Sequence, residues 1–302
     1  MLKEVFNNIK TAFNKSDNAL YQLILINIIV FVVMGILMVF SNFGGASIFN
    51  FVYNQLSIPA QFNEFILRPW TILTYAFMHS LGGIMHILFN MLVFFWFGQL
   101  IMEYLGSKKL VNLYVLGALA GGIIYLLAYN LVPYYIAQTP SGMVGASAAV
   151  FAVTVGAATL LPDYSFRLLL IGSVRIKYIA AVYVFLSFLG TVGSNAGGEL
   201  AHLGGAFIGY IYIKQLQKGN DFGRFITMTI NTVKGMFVKK SKIKVTHKKA
   251  SFSKAKTTTT KTPPVSGETS QQEIDAILDK INESGYEKLT TEEKQKLFNA
   301  GK

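Results

Sequence analysis

Residues 145–161, "GASAAVFAVTVGAATLL", form an apolar segment that carries one serine, Ser147, among small neighbours. Their length approaches the ~20 residues that a helix needs to cross the hydrocarbon core of a bilayer. Ala148, Ala152 and Gly156 recur every four residues, and small residues at this spacing let a second helix approach closely. The segment therefore predicts a membrane-crossing helix, with space for a partner helix beside the serine hydroxyl.

Five other segments of the chain are similarly apolar. They run approximately over residues 20–40, 84–105, 110–130, 177–194 and 200–217. Charged residues make up 14% of the 302 residues, against about 25% in soluble domains. The composition excludes an ordinary water-soluble protein, and the lack of cysteine excludes disulfides and thiol chemistry. We predict an all-α, polytopic membrane protein built as a bundle of six transmembrane helices.

The positions of the basic residues predict the orientation of these helices. Lys and Arg concentrate at the N-terminus, at 108–109, within 162–177 and after residue 213, whereas the remaining loops contain only Arg68. By the positive-inside rule, both termini are cytoplasmic and loops 42–83, 131–144 and 195–199 face outside. We expect a multi-pass protein of the cell (inner) membrane, and the Lys/Asn/Ile-rich composition suggests a bacterial source.

Four regions follow from composition and periodicity. Residues 1–18 are expected to form a cytoplasmic amphipathic segment at the interface, and residues 19–218 the six-helix domain. Residues 219–270 are a basic juxtamembrane segment, with an apolar stripe near its start, followed by a flexible linker. Residues 271–302 form a small helical module, in which Thr290 and Glu293 predict a capping box.

The basic segment indicates a lipid partner. Residues 214–262 carry thirteen Lys and Arg but one acid, Asp221. Anionic headgroups attract such segments. No aromatic-interleaved motif supports nucleic-acid binding.

A few polar side chains lie inside the apolar segments: His86, Asn90, Ser147 and His202. Each alone is most simply a packing or interhelical hydrogen-bonding residue. Together they are expected at a similar depth, roughly 3–10 Å from the outer end of three different helices at 1.5 Å rise per residue. Polar residues inside a membrane are functional candidates, and a shared depth favours one site.

The chemistry that this site permits is nucleophilic. Ser147 needs a neighbouring base, and His202 is the candidate, since Gly205 and Gly209 follow it on the small-residue face of its helix. Glu199 is expected at the helix mouth, so we predict a Ser–His dyad with no orienting carboxylate. Phe151, one turn after Ser147, would pack on the imidazole.

Two further side chains are candidates for stabilising the transition state. His86 and Asn90 lie four residues apart on one helix face, and with the Ser147 backbone N–H they could hold an oxyanion.

The chain resembles the rhomboid intramembrane serine proteases over approximately residues 20–217. The resemblance rests on "MHILFN" at 85–90, "GAS" at 145–147 and "AHLGGAFIG" at 201–209. It implies a Ser147–His202 dyad, an oxyanion hole from His86 and Asn90, and Phe151 beside the histidine, without metal or cofactor. It also gives Gly145, Gly205 and Gly209 supporting roles and makes the fifth segment a lateral gate. "RPWT" at 68–71 departs from the Trp–Arg pair that some members carry in the first outer loop.

These residues are consistent with three functions. The first is an intramembrane endopeptidase that cleaves single-pass transmembrane proteins near the outer membrane face. The second is a catalytically inactive rhomboid-like binder of transmembrane clients. The third is a haem or metal protein that uses His79, His86 and His202, for which the segments offer no other ligands.

Overall fold

A computed structural model describes residues 18–138, 142–168, 172–237, 271–284 and 288–300 of the chain. The amphipathic helix expected within residues 1–18 and the linker expected at 250–270 lie outside the described residues. The chain divides into two compact units, residues 1–241 and 242–302.

The first unit is mainly helical. Its helices are α1 (Ala19–Phe40), α2 (Ala46–Leu56), α3 (Phe62–Leu67), α4 (Thr71–Thr74), α5 (Ile84–Leu105), α6 (Ser107–Leu131), α7 (Pro133–Ile136), α8 (Ser147–Leu160), α9 (Ile176–Gly190), α10 (Ala196–Gln217) and α11 (Arg224–Phe237). The predicted all-α membrane bundle is confirmed, and its six long apolar helices match the six predicted segments within a few residues.

Three stretches are long and apolar enough to cross a membrane by length and composition: Ala19–Leu56, Ile84–Leu105 and Ser107–Leu131. The first includes a kink at Ser41–Gly45, where Gly44 takes φ 98°. Helices α8 and α9 are apolar but shorter. The chain is therefore a membrane protein, in which the shorter helices depend on their neighbours within the bundle.

Helix α8 lies at the centre of the bundle. Ten of its fourteen residues are buried, whereas three of the fifteen residues of α9 are buried. Helix α9 instead exposes apolar side chains, among them Phe185, Leu186 and Phe188. In a membrane protein such a surface faces lipid, so α8 is the core helix and α9 is peripheral.

One element contradicts a purely helical expectation. Strands β1 (Ser165–Leu168) and β2 (Gly172–Arg175) pair antiparallel in the loop after α8. Lys177 closes the base of this hairpin through a 2.7 Å ion pair with Asp163, and its hydrogen bond lowers the pKa of Asp163. Phe166 packs 5.3 Å from the ring of Phe97. Burial of this aromatic side chain favours an ordered hairpin over an irregular loop.

The long first loop is well anchored despite its "RPWT" sequence. Trp70 Nε1 donates to the carbonyl of Gln55 at 2.9 Å, and Arg68 pairs with Glu64. Ile58 and Met143 exchange backbone hydrogen bonds of 3.1 and 2.9 Å. The loop therefore holds the segment that leads into Ser147.

Helix α11 packs on the bundle through polar contacts. Thr227 Oγ1 donates to Asn112 Oδ1 at 2.9 Å. In the preceding turn Asp221 pairs with Lys109 and accepts a 2.9 Å hydrogen bond from Tyr212. Burial raises the pKa of Asp221, but the bonds from Lys109 and Tyr212 outweigh it, and the pKa lies below its usual value. The start of the predicted juxtamembrane segment is thus part of the first unit.

In the second unit, α12 (Gln271–Ser284) and α13 (Thr291–Ala300) form a helical pair. The predicted capping box is confirmed. Thr290 N donates to Glu293 Oε2 at 2.8 Å, and Glu293 N donates to Thr290 Oγ1 at 3.3 Å. Lys280 pairs with the same carboxylate at 2.8 Å. This hydrogen bond is the main reason that the pKa of Glu293 falls to about 2.

Candidate active site

A cavity of about 440 Å³ opens beside the first turn of α8. It is lined by side chains of α5, α8, α9 and α10, together with Asn195: Met85, His86, Phe89, Asn90, Val93, Ser147, Val150, Phe151, Tyr183, Asn195 and His202. Four side chains that the sequence places on three separate helices, His86, Asn90, Ser147 and His202, therefore share one cavity.

Ser147 is the first residue of α8. The first N–H groups of a helix have no partner within it, so this end can bind an anion. The chain enters through Gly145, whose φ of 146° few other residues adopt, and a Cβ there would lie 3.3 Å from Ser147 Oγ and 3.8 Å from the His86 ring. Gly145 thus lets the backbone turn beside both side chains.

Helices α8 and α10 touch backbone to backbone. A Cβ added at Gly205 would lie 2.0 Å from the carbonyl oxygen of Ala148, and one at Gly209 would lie 2.3 Å from that of Ala152. Only glycine fits at these crossings. The contact carries His202, three residues before Gly205 on α10, to the same level as Ser147.

The His202 ring is held on two sides. It stacks on Phe151 with 4.3 Å between ring centroids and 9° between planes. Its Nδ1 lies 3.1 Å from Ser187 Oγ and 3.1 Å from Glu199 Oε2. Because Nδ1 is engaged, Nε2 is the nitrogen left for Ser147. Within the described residues, the hydrogen bonds do not include a direct one between Ser147 Oγ and the His202 ring.

The prediction that no carboxylate lies well placed beside His202 is wrong. Glu199 lies in the first turn of its helix, and the i,i+3 spacing brings its carboxylate to the imidazole. Its side chain is 23% exposed, so it lies inside the bundle rather than at an open mouth. Ser187 was not among the predicted residues. It contacts His202 because α9 packs against α10.

His86 and Asn90 face the cavity from α5. Asn90 Nδ2 donates to the carbonyl of His86 at 2.9 Å, which fixes its amide along the helix face. His79 is 2% exposed, and its ring lies edge-on to His86 at 5.6 Å. A second cavity of about 390 Å³ shares His86 and Asn195 with the first and is also lined by Ser80 and Ser194. Polar groups thus continue from the site toward the loops.

Comparison with known proteins identifies the family of the helical domain. Residues 67–218, half of the chain, match the Rhomboid domain. The chain therefore belongs to the rhomboid family. Residues 267–299 match a family of unknown function, DUF6576.

Two curated relatives come from Arabidopsis thaliana. Rhomboid-like protein 16, chloroplastic, is 29% identical over 168 residues, which cover 50% of each chain. RHOMBOID-like protein 12, mitochondrial, is 31% identical over 166 residues, which cover 50% of this chain and 48% of the relative. The chain thus matches about half the length of each relative.

Proposed function

We propose that the chain is an intramembrane serine endopeptidase, with Ser147 as nucleophile and His202 as general base. One observation carries the proposal. Two helices in backbone contact bring Ser147 and His202 to one cavity, which His86 and Asn90 also line. A hydroxyl, an imidazole and two polar donors in a membrane core are costly to retain without a function.

The reaction would proceed in two stages. Ser147 Oγ attacks the carbonyl carbon of the scissile peptide bond while His202 Nε2 takes the hydroxyl proton. The imidazolium then gives this proton to the leaving nitrogen as the C–N bond breaks, which leaves an acyl ester on Ser147. Water gives a proton to Nε2 as it attacks the ester, and release of the acid restores the serine hydroxyl.

The developing oxyanion needs donors. We assign this role to the side chains of His86 and Asn90, which line the cavity, and to the backbone N–H of Ser147 at the start of α8. Removal of one such donor costs ~2.7–4 kcal/mol of transition-state stabilisation. The Asn90 amide would have to turn from the His86 carbonyl toward the substrate.

The substrate class follows from where the cavity opens. Phe89 and Met85 line it and are 60% and 57% exposed, so it borders the surface that faces lipid. A transmembrane helix could enter there between α5 and α9. A helical backbone hides its carbonyls in hydrogen bonds, so the cleaved segment must be extended. We propose single-pass membrane proteins as substrates.

The membrane orientation is part of the proposal. The turn between α5 and α6 carries Lys108 and Lys109, and the hairpin region carries Arg167, Arg175 and Lys177, all at helix ends opposite Ser147. On the positive-inside rule, we propose that Ser147 lies toward the outer face of the cell membrane and that the termini are cytoplasmic.

The basic segment is proposed to bind anionic lipid. Helix α11 exposes Phe225, Met228 and Met236 and carries Arg224 and Lys234. An apolar face flanked by cations is typical of a helix on a membrane surface. Charge reversal at Lys234 should weaken membrane association of α11 only in vesicles that contain anionic lipid.

Purified protein with a reporter transmembrane substrate tests the enzymatic proposal. Wild type should release a cleaved fragment, and Ser147→Ala and His202→Ala should each reduce release by at least 10³-fold, as in other serine hydrolases. Ser173→Ala, on the exposed hairpin, is a matched control that should cleave normally. Equal cleavage by wild type and Ser147→Ala would exclude the proposed mechanism. Substrate capture without cleavage by wild type would instead support the client-binding function.

A further inference from the structure

We propose that Glu199 is a positioning residue for His202, so that the site works as a Glu199–His202–Ser147 triad rather than a dyad. This inference rests on the proposed endopeptidase function. It begins from the 3.1 Å contact between Glu199 Oε2 and His202 Nδ1.

The side chain of Glu199 fits closely against the end of α9. A Cβ at Gly190 would lie 2.7 Å from Glu199 Cγ and 3.0 Å from its carboxyl carbon. Only glycine at position 190 therefore leaves room for the Glu199 side chain. Ser187 Oγ lies 3.1 Å from the same His202 Nδ1, beside the carboxylate. The packing against Gly190 therefore holds Glu199 next to the histidine.

Ser187 supports the same arrangement from the neighbouring helix. It is 3% exposed, on a helix in which only two other residues are buried. An ionised carboxylate only accepts hydrogen bonds. His202 Nδ1–H therefore donates to Glu199, and Ser187 Oγ, 3.1 Å from Nδ1, lies beside the same hydrogen.

This pattern has a chemical consequence. A hydrogen on Nδ1 leaves the lone pair on Nε2, which is the nitrogen that must take the Ser147 proton. When His202 becomes an imidazolium in the transition state, a fixed carboxylate at Nδ1 stabilises the new positive charge. Glu199 remains ionised throughout, and no proton passes to it. Stacking on Phe151 fixes the plane of the ring but does not select its tautomer.

Imidazole nitrogen NMR tests the hydrogen bond independently of activity. The chain has four histidines, so ¹⁵N-histidine labelling of the full protein gives few signals, and His202→Gln assigns the one of interest. Wild type should show His202 as the Nδ1–H tautomer. Glu199→Ala should raise the Nε2–H tautomer, because Ser187 can then donate to Nδ1. Glu292→Ala, at an exposed carboxylate of α13, should change nothing. An unaltered His202 spectrum in Glu199→Ala overturns the inference.

Kinetics test the positioning role. Glu199→Gln keeps an acceptor oxygen but loses the charge, so kcat should fall on the order of 100-fold with KM unchanged. This is less than the ~10⁴-fold loss that a wrong tautomer causes. Glu199→Asp, which keeps the charge, should recover part of kcat, whereas Glu292→Gln should match wild type.

The two proposals fail in different ways. Full kcat in Glu199→Gln, with Ser147→Ala inactive, would refute the triad and leave the endopeptidase standing. If wild type cleaves no better than Ser147→Ala, the enzyme proposal fails, and with it the catalytic role assigned to Glu199. The NMR result would then report only on the hydrogen bond.

Discussion

Replacement of Gly205 by alanine probes the contact that brings the proposed nucleophile and base together. The new Cβ would lie 2.0 Å from the Ala148 carbonyl oxygen, against 3.4 Å for an ordinary van der Waals contact. Helices α8 and α10 must therefore separate by roughly 1.4 Å at this level. Overpacking of this kind costs about 1–3 kcal/mol of folding free energy.

The same displacement should lower activity more than stability. Ser147 precedes Ala148 on α8, and His202 lies one turn before Gly205 on α10. A misplacement of about 1 Å between reacting groups can reduce the rate ~100-fold. We expect kcat/KM to fall on the order of 100-fold in detergent at a temperature where the variant remains folded.

Gly35→Ala is the matched control for this experiment. It is the same change within a membrane helix, but a Cβ at Gly35 meets nothing within 4 Å. Thermal unfolding and reporter cleavage are measured for both variants. Gly35→Ala should retain its activity and unfold no earlier than wild type, since alanine favours a helix. If Gly205→Ala equals the control in both measurements, the close contact between α8 and α10 is not what positions the site.

Three further predictions concern the oxyanion donor, the orientation and the tail. His86→Ala should lower kcat ~10²–10³-fold with the protein still folded, measured by reporter cleavage and thermal unfolding; unchanged kcat would remove His86 from the oxyanion hole. Because the chain has no cysteine, Asn63→Cys and Ser173→Cys can each be probed with an impermeant maleimide on intact cells; the first should react and the second should not, and the reverse pattern would invert the orientation. The pKa of Glu293 is lowered from 4.5 to about 2, mainly by its hydrogen bond to Lys280. The ionised carboxylate therefore stabilises the folded tail above about pH 4.5, and this stabilisation is lost as the pH falls toward 2. Amide NMR signals of α13 in the full chain should lose dispersion over that range, and Lys280→Met should weaken the dependence; an equal dependence in both proteins would contradict the assignment.

The sequence predicted the helices and the grouping of the polar residues because both depend on simple periodicities. Apolar length locates a membrane helix, and glycine at four-residue spacing indicates where helices can meet. The positions of Ser147, His86 and Asn90 on one cavity follow from the shared depth of their helices. Stacking of Phe151 on His202 was likewise expected from its place one turn after the serine.

Other features depend on contacts that no single segment contains. Ser187 reaches His202 from a different helix, so its role depends on how α9 packs. Glu199 was expected at the helix mouth, away from the imidazole, although its i,i+3 spacing to His202 was visible in the sequence. The hairpin at residues 165–175 is stabilised by Phe166 against α5 and by ion pairs with Asp163, which local propensity did not indicate.

Covalent capture of Ser147 tests the central proposal most directly. The full-length protein in detergent is treated with a fluorophosphonate, and the modified residue is identified by peptide mass spectrometry. We expect an adduct on Ser147 in wild type and a rate of modification reduced at least 10³-fold in His202→Ala, because the hydroxyl is a weak nucleophile without its base. An unmodified Ser147 in wild type, or an equal rate in His202→Ala, would contradict it.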